Sequence, residues 1–299
     1  MKKFLAALLA AMLLPLGAVA ETIVTSFYPI YIFALNLTDG LEGVEVRNLT
    51  APDTGCLHDY QLQTGDMKKL AAADAFLING AGMESYLAGV MEAFPELKSV
   101  DASQGIELIC SDEQEHGHGH DHDHSDVNAH VWLDAENAQI MVRNLAEGLM
   151  EACPEQAEAI AANRDAYLAR LEALDGEITA ALADLPRRDM VTFHEAFPYF
   201  ARAYGLNVAA VVNREPSDSL SPAKLAELVK LVRSLGVPPL FVEPQYEDMA
   251  AQTLARETGA AVFTLDPAVT GPEENVPLTY YEDVMRANVQ VLITALGAE

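Results

Sequence analysis

The 299-residue chain has little positive charge, few cysteines and only one long apolar run. Its 18 lysines and arginines are outnumbered by 45 aspartates and glutamates, which gives a formal net charge of −27. A nucleic acid needs basic side chains to neutralise its phosphates, so this balance argues against nucleic acid as a partner. An acidic surface instead raises the local concentration of cations, although acidity by itself most simply favours solubility.

The long apolar run lies at the N-terminus, where two lysines at positions 2 and 3 precede apolar residues 4–16 and Gly-Ala-Val-Ala at 17–20. This pattern predicts a secretory signal peptide of residues 1–20, cleaved after Ala20. The run is too short for a transmembrane helix, and no later stretch reaches about 18 apolar residues. No cysteine lies near the predicted junction. We therefore expect a soluble periplasmic or extracellular protein without a lipid anchor.

Cysteine is scarce, and Cys56, Cys110 and Cys153 are the three that the sequence contains. In an exported chain they allow one disulfide and one remaining thiol, and the sequence does not say which two pair. The sequence also lacks a His-Glu-x-x-His helix and a Gly-x-Ser-x-Gly turn, which are motifs of hydrolases. These absences argue against an enzyme and leave a zinc-dependent hydrolase as the enzymatic alternative.

Short apolar runs alternate with helical patterns along the rest of the chain, which predicts βαβ units and parallel sheets. The predicted strands are 23–26, 44–49, 75–78, 98–101, 190–193, 207–212, 240–242 and 261–265. The predicted helices are 30–37, 64–73, 83–94, 135–153, 155–185, 196–204, 222–234, 247–258 and 279–296.

This alternation occurs twice, and it predicts one α/β lobe in residues 21–153 and a second in 187–299. Between the lobes, residues 155–185 contain no proline and one glycine, Gly176, and their apolar residues recur every three or four positions. We therefore predict one connecting helix within 154–186, with two shorter helices broken near Gly176 as the alternative. The expected fold is α/β, with two Rossmann-like lobes joined by one long rigid helix.

A histidine tract interrupts the first lobe, inside a stretch at 111–128 that has almost no apolar residues and should form a mobile loop. Its five alternating imidazoles are His116, His118, His120, His122 and His124. Imidazoles among glycines and aspartates do not build a core, but their neutral nitrogens bind zinc, copper and nickel. We interpret the tract as an auxiliary low-affinity metal site, and a merely solvated polar loop is the alternative.

The remaining histidines, His58, His130 and His194, lie where a strand or a turn meets a helix. Asp266 likewise follows the predicted strand 261–265. Ligands of open α/β sheets bind at the carboxyl ends of strands, so these positions are those of a binding site. One such histidine alone is more often structural, but three of them with a carboxylate and a histidine tract favour a metal site.

The chain resembles the solute-binding subunits of bacterial zinc and manganese ABC transporters over essentially the whole of residues 21–299. Each motif is weak alone, but their order and spacing together are highly specific. They are Ser-Phe-Tyr-Pro-Ile at 26–30, His-Asp-Tyr at 58–60, His-Val-Trp-Leu-Asp at 130–134, His-Glu-Ala-Phe-Pro-Tyr-Phe-Ala at 194–201, Glu-Pro-Ser at 215–217, Val-Glu-Pro-Gln at 242–245 and Leu-Asp-Pro at 265–267.

The resemblance implies a single ion in the cleft between the lobes, held by two ligands from each lobe. Carried over by motif, the first-lobe ligands are His58 and His130, and the second-lobe ligands are His194 and Asp266. The histidine-rich loop and the histidine at position 194 resemble zinc-specific members, which leaves manganese as the alternative cargo. Three imidazoles and one carboxylate also suit tetrahedral Zn²⁺, whereas Mn²⁺ favours more oxygen ligands.

Some positions near the implied ligands depart from the family pattern or have two interpretations. Leu57 occupies a place where certain zinc-specific relatives have an acidic residue, so Asp266 is the better fourth ligand, with water as the alternative. Cys56 offers a possible thiolate, but a disulfide or an inert thiol is favoured. Glu243 and Asp59 are candidates to orient a ligating histidine, and an ordinary charge at a strand end is the alternative.

The function that the resemblance implies is non-enzymatic capture of Zn²⁺ outside the cytoplasm and delivery to the membrane permease of an ABC transporter. Four protein ligands leave no obvious place for a catalytic water, which argues for carriage rather than hydrolysis. The expected partners are the metal ion and the permease, and the chain is expected to be a monomer. A manganese-binding member, a periplasmic zinc buffer and an adhesin are the alternatives.

Overall fold

Two parallel sheets of the same topology organise the protein, whose computed structural model describes residues 21–57, 60–110, 127–212, 221–245 and 249–297. The first sheet has the order β2-β1-β3-β4 and consists of β1 (Glu21–Thr25), β2 (Val44–Asn48), β3 (Ala75–Ile78) and β4 (Lys98–Asp101). The second has the order β6-β5-β7-β8 and consists of β5 (Asp189–Thr192), β6 (Asn207–Val211), β7 (Leu240–Val242) and β8 (Val262–Thr264). Every pairing within these sheets is parallel.

Helices provide the crossovers that parallel strands require. Those of the described residues are α1 (Tyr28–Leu37), α2 (Thr64–Ala71), α3 (Leu87–Ala93), α4 (Ala135–Ala152), α5 (Ala157–Leu182), α6 (Pro198–Ala203), α7 (Pro222–Ser234), α8 (Met249–Thr258) and α9 (Tyr280–Leu296). Short 3₁₀ turns, Val131–Leu133 and Pro154–Gln156, precede α4 and α5. Within the described ranges, no helix has both the length and the apolar character needed to cross a membrane.

The boundaries of the elements differ from the predicted ones mainly where turns intervene. The helix predicted from residue 83 begins only at Leu87. Ala81 and Gly82 have left-handed φ angles of 50° and 80°, and the backbone N–H of Met83 bonds to the carbonyl of Gly80. A turn therefore occupies the predicted first part of the helix. In contrast, α4 begins as predicted, because the side chain of Asp134 accepts hydrogen bonds from the first-turn amides of Glu136 and Asn137.

The connecting helix α5 is continuous over 26 residues, which gives it a length of roughly 39 Å. Gly176 lies inside it, so the alternative of two shorter helices is wrong. The helix packs against α1 and α4 of the first lobe and against α9 of the second. Its buried residues follow helical spacing and are Ile160, Tyr167, Leu171, Leu174, Ile178 and Leu182. Burial along almost the entire stripe keeps the helix intact despite the glycine.

Arg170 on α5 forms a charged link between the two lobes. Its Nε donates to Oε1 of Glu282 on α9 at 2.9 Å, and its Nη2 donates to Oδ1 of Asn36 on α1. Only 2% of the Glu282 side chain is exposed, so its carboxylate depends on this cationic partner. The guanidinium also lies 4.7 Å from the ring centroid of Tyr167.

One hydrophobic core extends through both lobes and along the connecting helix. It includes Ile23 and Leu77 of the first sheet, Leu171 of α5, and Phe241 and Leu265 of the second half of the chain. Wide separation of the lobes would expose this apolar surface to water, which is unfavourable. The packing therefore opposes wide opening of the lobes.

Cys56, Cys110 and Cys153 all lie in the part of the chain that the structure describes, and no disulfide joins any two of them, so the disulfide that the cysteine count allowed is absent there. Cys153 ends α4 close to Glu21, at the start of β1, whereas Cys56 lies beyond the carboxyl ends of the strands, beside His130. A five-residue strand such as β1 spans about 17 Å, and a disulfide needs Cα atoms closer than about 7 Å. These two thiols are therefore too far apart to pair, and Cys110 is exposed.

Gly148 is the residue that lets α4 lie close to β4. A Cβ atom at this position would lie 2.4 Å from Cγ2 of Val100, whereas one at Gly176 would meet no heavy atom within 4 Å. We predict that Gly148→Ala lowers the free energy of unfolding by about 1–3 kcal/mol through overpacking. The matched variant Gly176→Ala should raise it by roughly 0.5–1 kcal/mol through helix propensity. Urea denaturation followed by circular dichroism tests both, and a stabilised Gly148→Ala variant would contradict the packing.

Candidate metal centre

Residues at the carboxyl ends of strands from both sheets meet between the lobes. His194 follows β5 and Glu243 follows β7, and these two strands are neighbours at the point where the strand order of the second sheet reverses. In the first lobe, Asn79 follows β3, and its Nδ2 donates to the carbonyl of Ala129, immediately before His130, at 2.9 Å. The rings of His130 and His194 have centroids 4.8 Å apart. This is the switch-point position at which open α/β sheets bind ligands.

His130 is held in one orientation and one tautomer by Asn128. The Oδ1 atom of Asn128 accepts from the backbone N–H of His130 at 3.0 Å and lies 3.1 Å from its Nδ1. The Nδ2 atom of Asn128 donates to the carbonyl of Glu195 at 2.7 Å, which fixes the amide orientation. An amide oxygen only accepts, so Nδ1 of His130 carries the proton and Nε2 holds the lone pair available to a metal.

His194 is oriented by the carboxylate of Glu243. Its Nδ1 lies 2.8 Å from Oε1 of Glu243, and Nε2 of Gln245 donates to the other carboxylate oxygen at 2.6 Å. Only 2% of His194 and 4% of Glu243 are exposed. Carboxylates that accept from one ring nitrogen fix the other nitrogen as the metal ligand. This is the contact expected of Glu243 if it orients a ligating histidine, and that role stays a prediction.

Three potential ligand atoms converge at this point, from Cys56, His130 and His194. All three atoms lie within 4.8 Å of one another, and Sγ of Cys56 is 3.4 Å from Nε2 of His130. The two imidazole rings are nearly perpendicular, with an interplanar angle of 80°. Imidazole nitrogen and thiolate sulfur are the donors that zinc prefers.

Asp266 is not one of the three members of this cluster. Its Oδ1 accepts from the backbone N–H of Ala268 at 2.8 Å. Burial raises the pKa of the Asp266 carboxyl, the hydrogen bond from Ala268 lowers it, and the negative charge of Glu243 raises it further. A cation bound beside Asp266 would favour its ionised form.

The structure brings two of the predicted principal ligands, His130 and His194, into direct proximity, whereas Asp266 is not among the ligand atoms that converge there. His58 and Asp59 lie outside the described residues, so their positions relative to the cluster stay predictions. The same holds for the auxiliary tract, which consists of His116, His118, His120, His122 and His124.

Trp132 links the two lobes beside the cluster. Its Nε1 donates to the carbonyl of Pro267 at 2.7 Å, and its own carbonyl accepts from the hydroxyl of Tyr281 at 2.6 Å. Its ring centroid also lies 5.2 Å from that of His130. Because Pro267 adjoins Asp266, these contacts join the segments that carry predicted ligands in both lobes.

A buried carboxyl supports the segment behind His130. The two oxygens of Glu84 accept from the backbone N–H groups of Asn79 at 2.8 Å and Gly80 at 3.1 Å. Burial raises the pKa of the Glu84 carboxyl from 4.5 to about 7, although these hydrogen bonds lower it. Since Asn79 in turn bonds to the carbonyl before His130, Glu84 influences the histidine through two hydrogen bonds.

We predict that Glu84 makes the protein less stable as the pH rises from about 4.5 to about 7. In this window the unfolded chain has lost the carboxyl proton and the folded chain still holds it, so each rise in pH favours unfolding. The contribution of the protonated Glu84 carboxyl to the free energy of unfolding is complete below the pKa of the unfolded chain. It is lost as the pH rises through the pKa of the folded chain.

Replacement by an uncharged side chain tests this pH dependence. Glu84→Gln should flatten this part of the stability profile by up to about 3 kcal/mol. Urea denaturation at a series of pH values measures the effect, and Glu92→Gln, at an exposed position of α3, is the control that should leave the profile unchanged. An unaltered slope in the Glu84 variant would contradict the prediction.

Comparison with known proteins identifies relatives with the same fold. The family profile described as zinc-uptake complex component A periplasmic matches residues 23–295. The zinc-binding protein AdcA of Streptococcus pyogenes serotype M3 (strain ATCC BAA-595 / MGAS315) is 31% identical over 288 residues, which cover 90% of this chain and 55% of that protein. The chain thus spans about half the length of this relative.

A second relative is matched over most of its length. The high-affinity zinc uptake system protein ZnuA of Bacillus subtilis (strain 168) is 30% identical over 281 residues, which cover 92% of this chain and 87% of that protein. Among solved structures, the crystal structure of ZnuA superposes with a TM-score of 0.78 and 26% identity, covering 93% of this chain and 99% of that one.

These similarities confirm the predicted resemblance to metal-binding solute-capture proteins and the predicted fold of two parallel-sheet lobes with a long helix between them. The matched profile describes a component of an uptake complex. The prediction that the chain is a transport component rather than an enzyme is therefore confirmed.

Proposed function

We propose a function that follows from the family of this chain, which belongs to the zinc-uptake complex component A periplasmic proteins. The chain captures Zn²⁺ outside the cytoplasm and delivers it to the permease of an ABC transporter. One observation carries the proposal. The imidazoles of His130 and His194 come from different lobes and meet with both Nδ1 atoms engaged in hydrogen bonds. Zinc binding by AdcA and high-affinity zinc uptake by ZnuA, as their names state, support zinc as the cargo.

In the proposal, the principal ligands are His58, His130, His194 and Asp266. Glu243 and Asp59 orient ligands, and the tract from His116 to His124 collects ions weakly. Residues 1–20 direct export and are removed. Segments 21–153 and 187–299 form the lobes, segment 154–186 joins them, and the protein acts as a monomer.

The chemistry of the site supports zinc as the cargo, and it supports transport of the ion rather than catalysis with it. Neutral imidazole nitrogens suit zinc, whereas manganese prefers a shell of oxygen ligands. A set of four protein ligands leaves no open position for a reactive water. The ion is therefore held without being used in a reaction, as a carrier requires.

Delivery in this proposal depends on the link between the lobes. The acidic chain, with a net charge of −27, attracts cations, and the cleft then binds one of them tightly. Arg170, Trp132 and the shared core oppose wide opening of the lobes. The permease therefore needs to displace only one lobe slightly to break the bonds from its ligands, because the metal needs donors from both lobes.

Variants of the second lobe test the proposed site. His194→Ala should abolish tight zinc binding, because it removes a ligand. Glu243→Gln should weaken binding about 10–100-fold, because the carboxylate no longer fixes the ring of His194. Glu227→Gln, on an exposed part of α7, is the matched control. Competition with a chromophoric chelator measures the affinities, and wild-type affinity in His194→Ala would contradict the assignment.

Removal of the histidine tract tests whether weak zinc binding by the tract is independent of tight zinc binding in the cleft. Deletion of residues 115–124 should lower the number of zinc ions bound and leave one tight ion, because the cleft ligands are unchanged. Calorimetric titration of the deletion variant and of the full chain gives both stoichiometries. Loss of all tight binding on deletion would contradict the two-site interpretation.

A strain lacking the gene distinguishes transport from zinc buffering and adhesion. A transporter component predicts slow growth in zinc-depleted medium and rescue by excess zinc. Normal zinc accumulation by the deletion strain would contradict the proposal, and rescue by manganese instead of zinc would identify manganese as the cargo.

A further inference from the structure

Cys56 is a thiol inside the metal centre, although the sequence favoured a disulfide or an inert role for it. Its Sγ lies 3.4 Å from Nε2 of His130, and it belongs to the cluster that includes His194. Two features fix the segment that carries it. Gly55 makes a turn with φ of 80°, and Leu57 is fully buried in the core.

The segment is also attached to the second lobe. The backbone N–H of Gly271 donates to the carbonyl of Pro52 at 3.1 Å. Cys56 is therefore held between two fixed points, the buried side chain of Leu57 and this interlobe hydrogen bond. Its position beside the histidines follows from the packing of the whole segment.

We infer that Cys56 binds the cargo ion as a thiolate, together with His130 and His194 and in place of Asp266, and that this sulfur makes the site prefer zinc to manganese. The inference rests on the proposed function, because the cargo is the ion that this function delivers. It adds a residue that none of the motifs of the chain assigns to the metal.

The spacing of one pair of donor atoms, the sulfur of Cys56 and Nε2 of His130, fits a tetrahedral zinc ion. Zn–S and Zn–N bonds of about 2.3 and 2.0–2.1 Å, at a tetrahedral angle, place the sulfur and the nitrogen about 3.5 Å apart. The distance from Sγ of Cys56 to Nε2 of His130 is 3.4 Å. The same two atoms that are in contact in the protein are therefore spaced to share one ion.

The chemistry of a thiolate explains the selectivity. When the ion binds, the Sγ–H proton passes to solvent and the sulfur lone pair forms the bond to the metal, so neither an oxidant nor a reductant is required. Soft sulfur ligands favour zinc, whereas manganese favours carboxylate, carbonyl and water oxygens. A sulfur in the cluster consequently penalises manganese more than zinc.

The other two cysteines provide internal controls. Cys110 is exposed and is not a member of the cluster. Cys153 is buried at the end of α4, and burial raises the pKa of its thiol to about 11. Neither thiol is expected to respond to the cargo ion.

Cobalt substitution tests the sulfur–metal bond directly. Co²⁺ bound to the purified full chain should show thiolate-to-cobalt charge-transfer absorption in the near ultraviolet. Cys56→Ser should lose this absorption and keep the visible ligand-field bands, whereas Cys110→Ser should keep both. A wild-type spectrum without charge transfer, or a Cys56→Ser spectrum that retains it, would overturn the inference.

Competition and labelling provide a second measurement. Cys56→Ser should weaken zinc binding at least about tenfold, since loss of a ligand costs no less than loss of the group that orients one. It should change manganese binding less, so that the zinc-to-manganese affinity ratio falls. Zinc should also protect Cys56 from iodoacetamide, as mass spectrometry of the modified peptides measures, and leave Cys110 reactive. Equal labelling with and without zinc would overturn the inference.

Failure of the inference is distinguishable from failure of the proposed function. If the wild-type protein binds one zinc ion tightly and Cys56→Ser binds it equally well, the thiolate is not a ligand and the function stands. If the wild-type protein binds no zinc tightly, the function and the inference both fail.

Discussion

The central constraint on this structure is that two imidazoles from separate lobes must lie close enough together to contact one ion. His130 and His194 are far apart in sequence, and their rings have centroids 4.8 Å apart in the protein. Trp132 bridges the lobes beside them, and Arg170 bridges the lobes on the connecting helix. A continuous apolar core fills the space between these links. The fold thus orders the two imidazoles before any ion binds, which favours tight binding at the proposed site.

Negative charge surrounds these imidazoles and has a cost that a cation offsets. Glu243 bonds to His194, and the pKa of the Asp266 carboxyl is raised by burial and also by the negative charge of Glu243. Buried carboxylates are unfavourable unless they are paired with positive charge. An ion that binds only the folded state therefore stabilises it, by an amount that grows with the ion concentration relative to the dissociation constant.

The sequence predicted the framework well, because that framework depends on local patterns. Apolar runs predicted the strands, and the histidines at strand ends predicted the place where His130 and His194 meet. The helix predicted from residue 83 began late, because left-handed residues at 81–82 make a turn that the apolar pattern does not reveal. Because of Gly176, the sequence did not decide whether α5 is one helix or two. Packing along the buried face of α5 determines that it is continuous. Cys56 was visible two residues before a histidine, but its closeness to His130 depends on tertiary contacts that spacing does not encode.

Trp132 is the single tryptophan of the chain, and its ring lies 5.2 Å from that of a proposed metal-ligating histidine. Its indole nitrogen is at the same time hydrogen-bonded to the opposite lobe. Indole emission is sensitive to neighbouring charge and to the loss of such a bond. The protein therefore carries an intrinsic fluorophore at the lobe interface, placed where its emission would report an ion at the proposed site or a movement of the lobes without any attached dye.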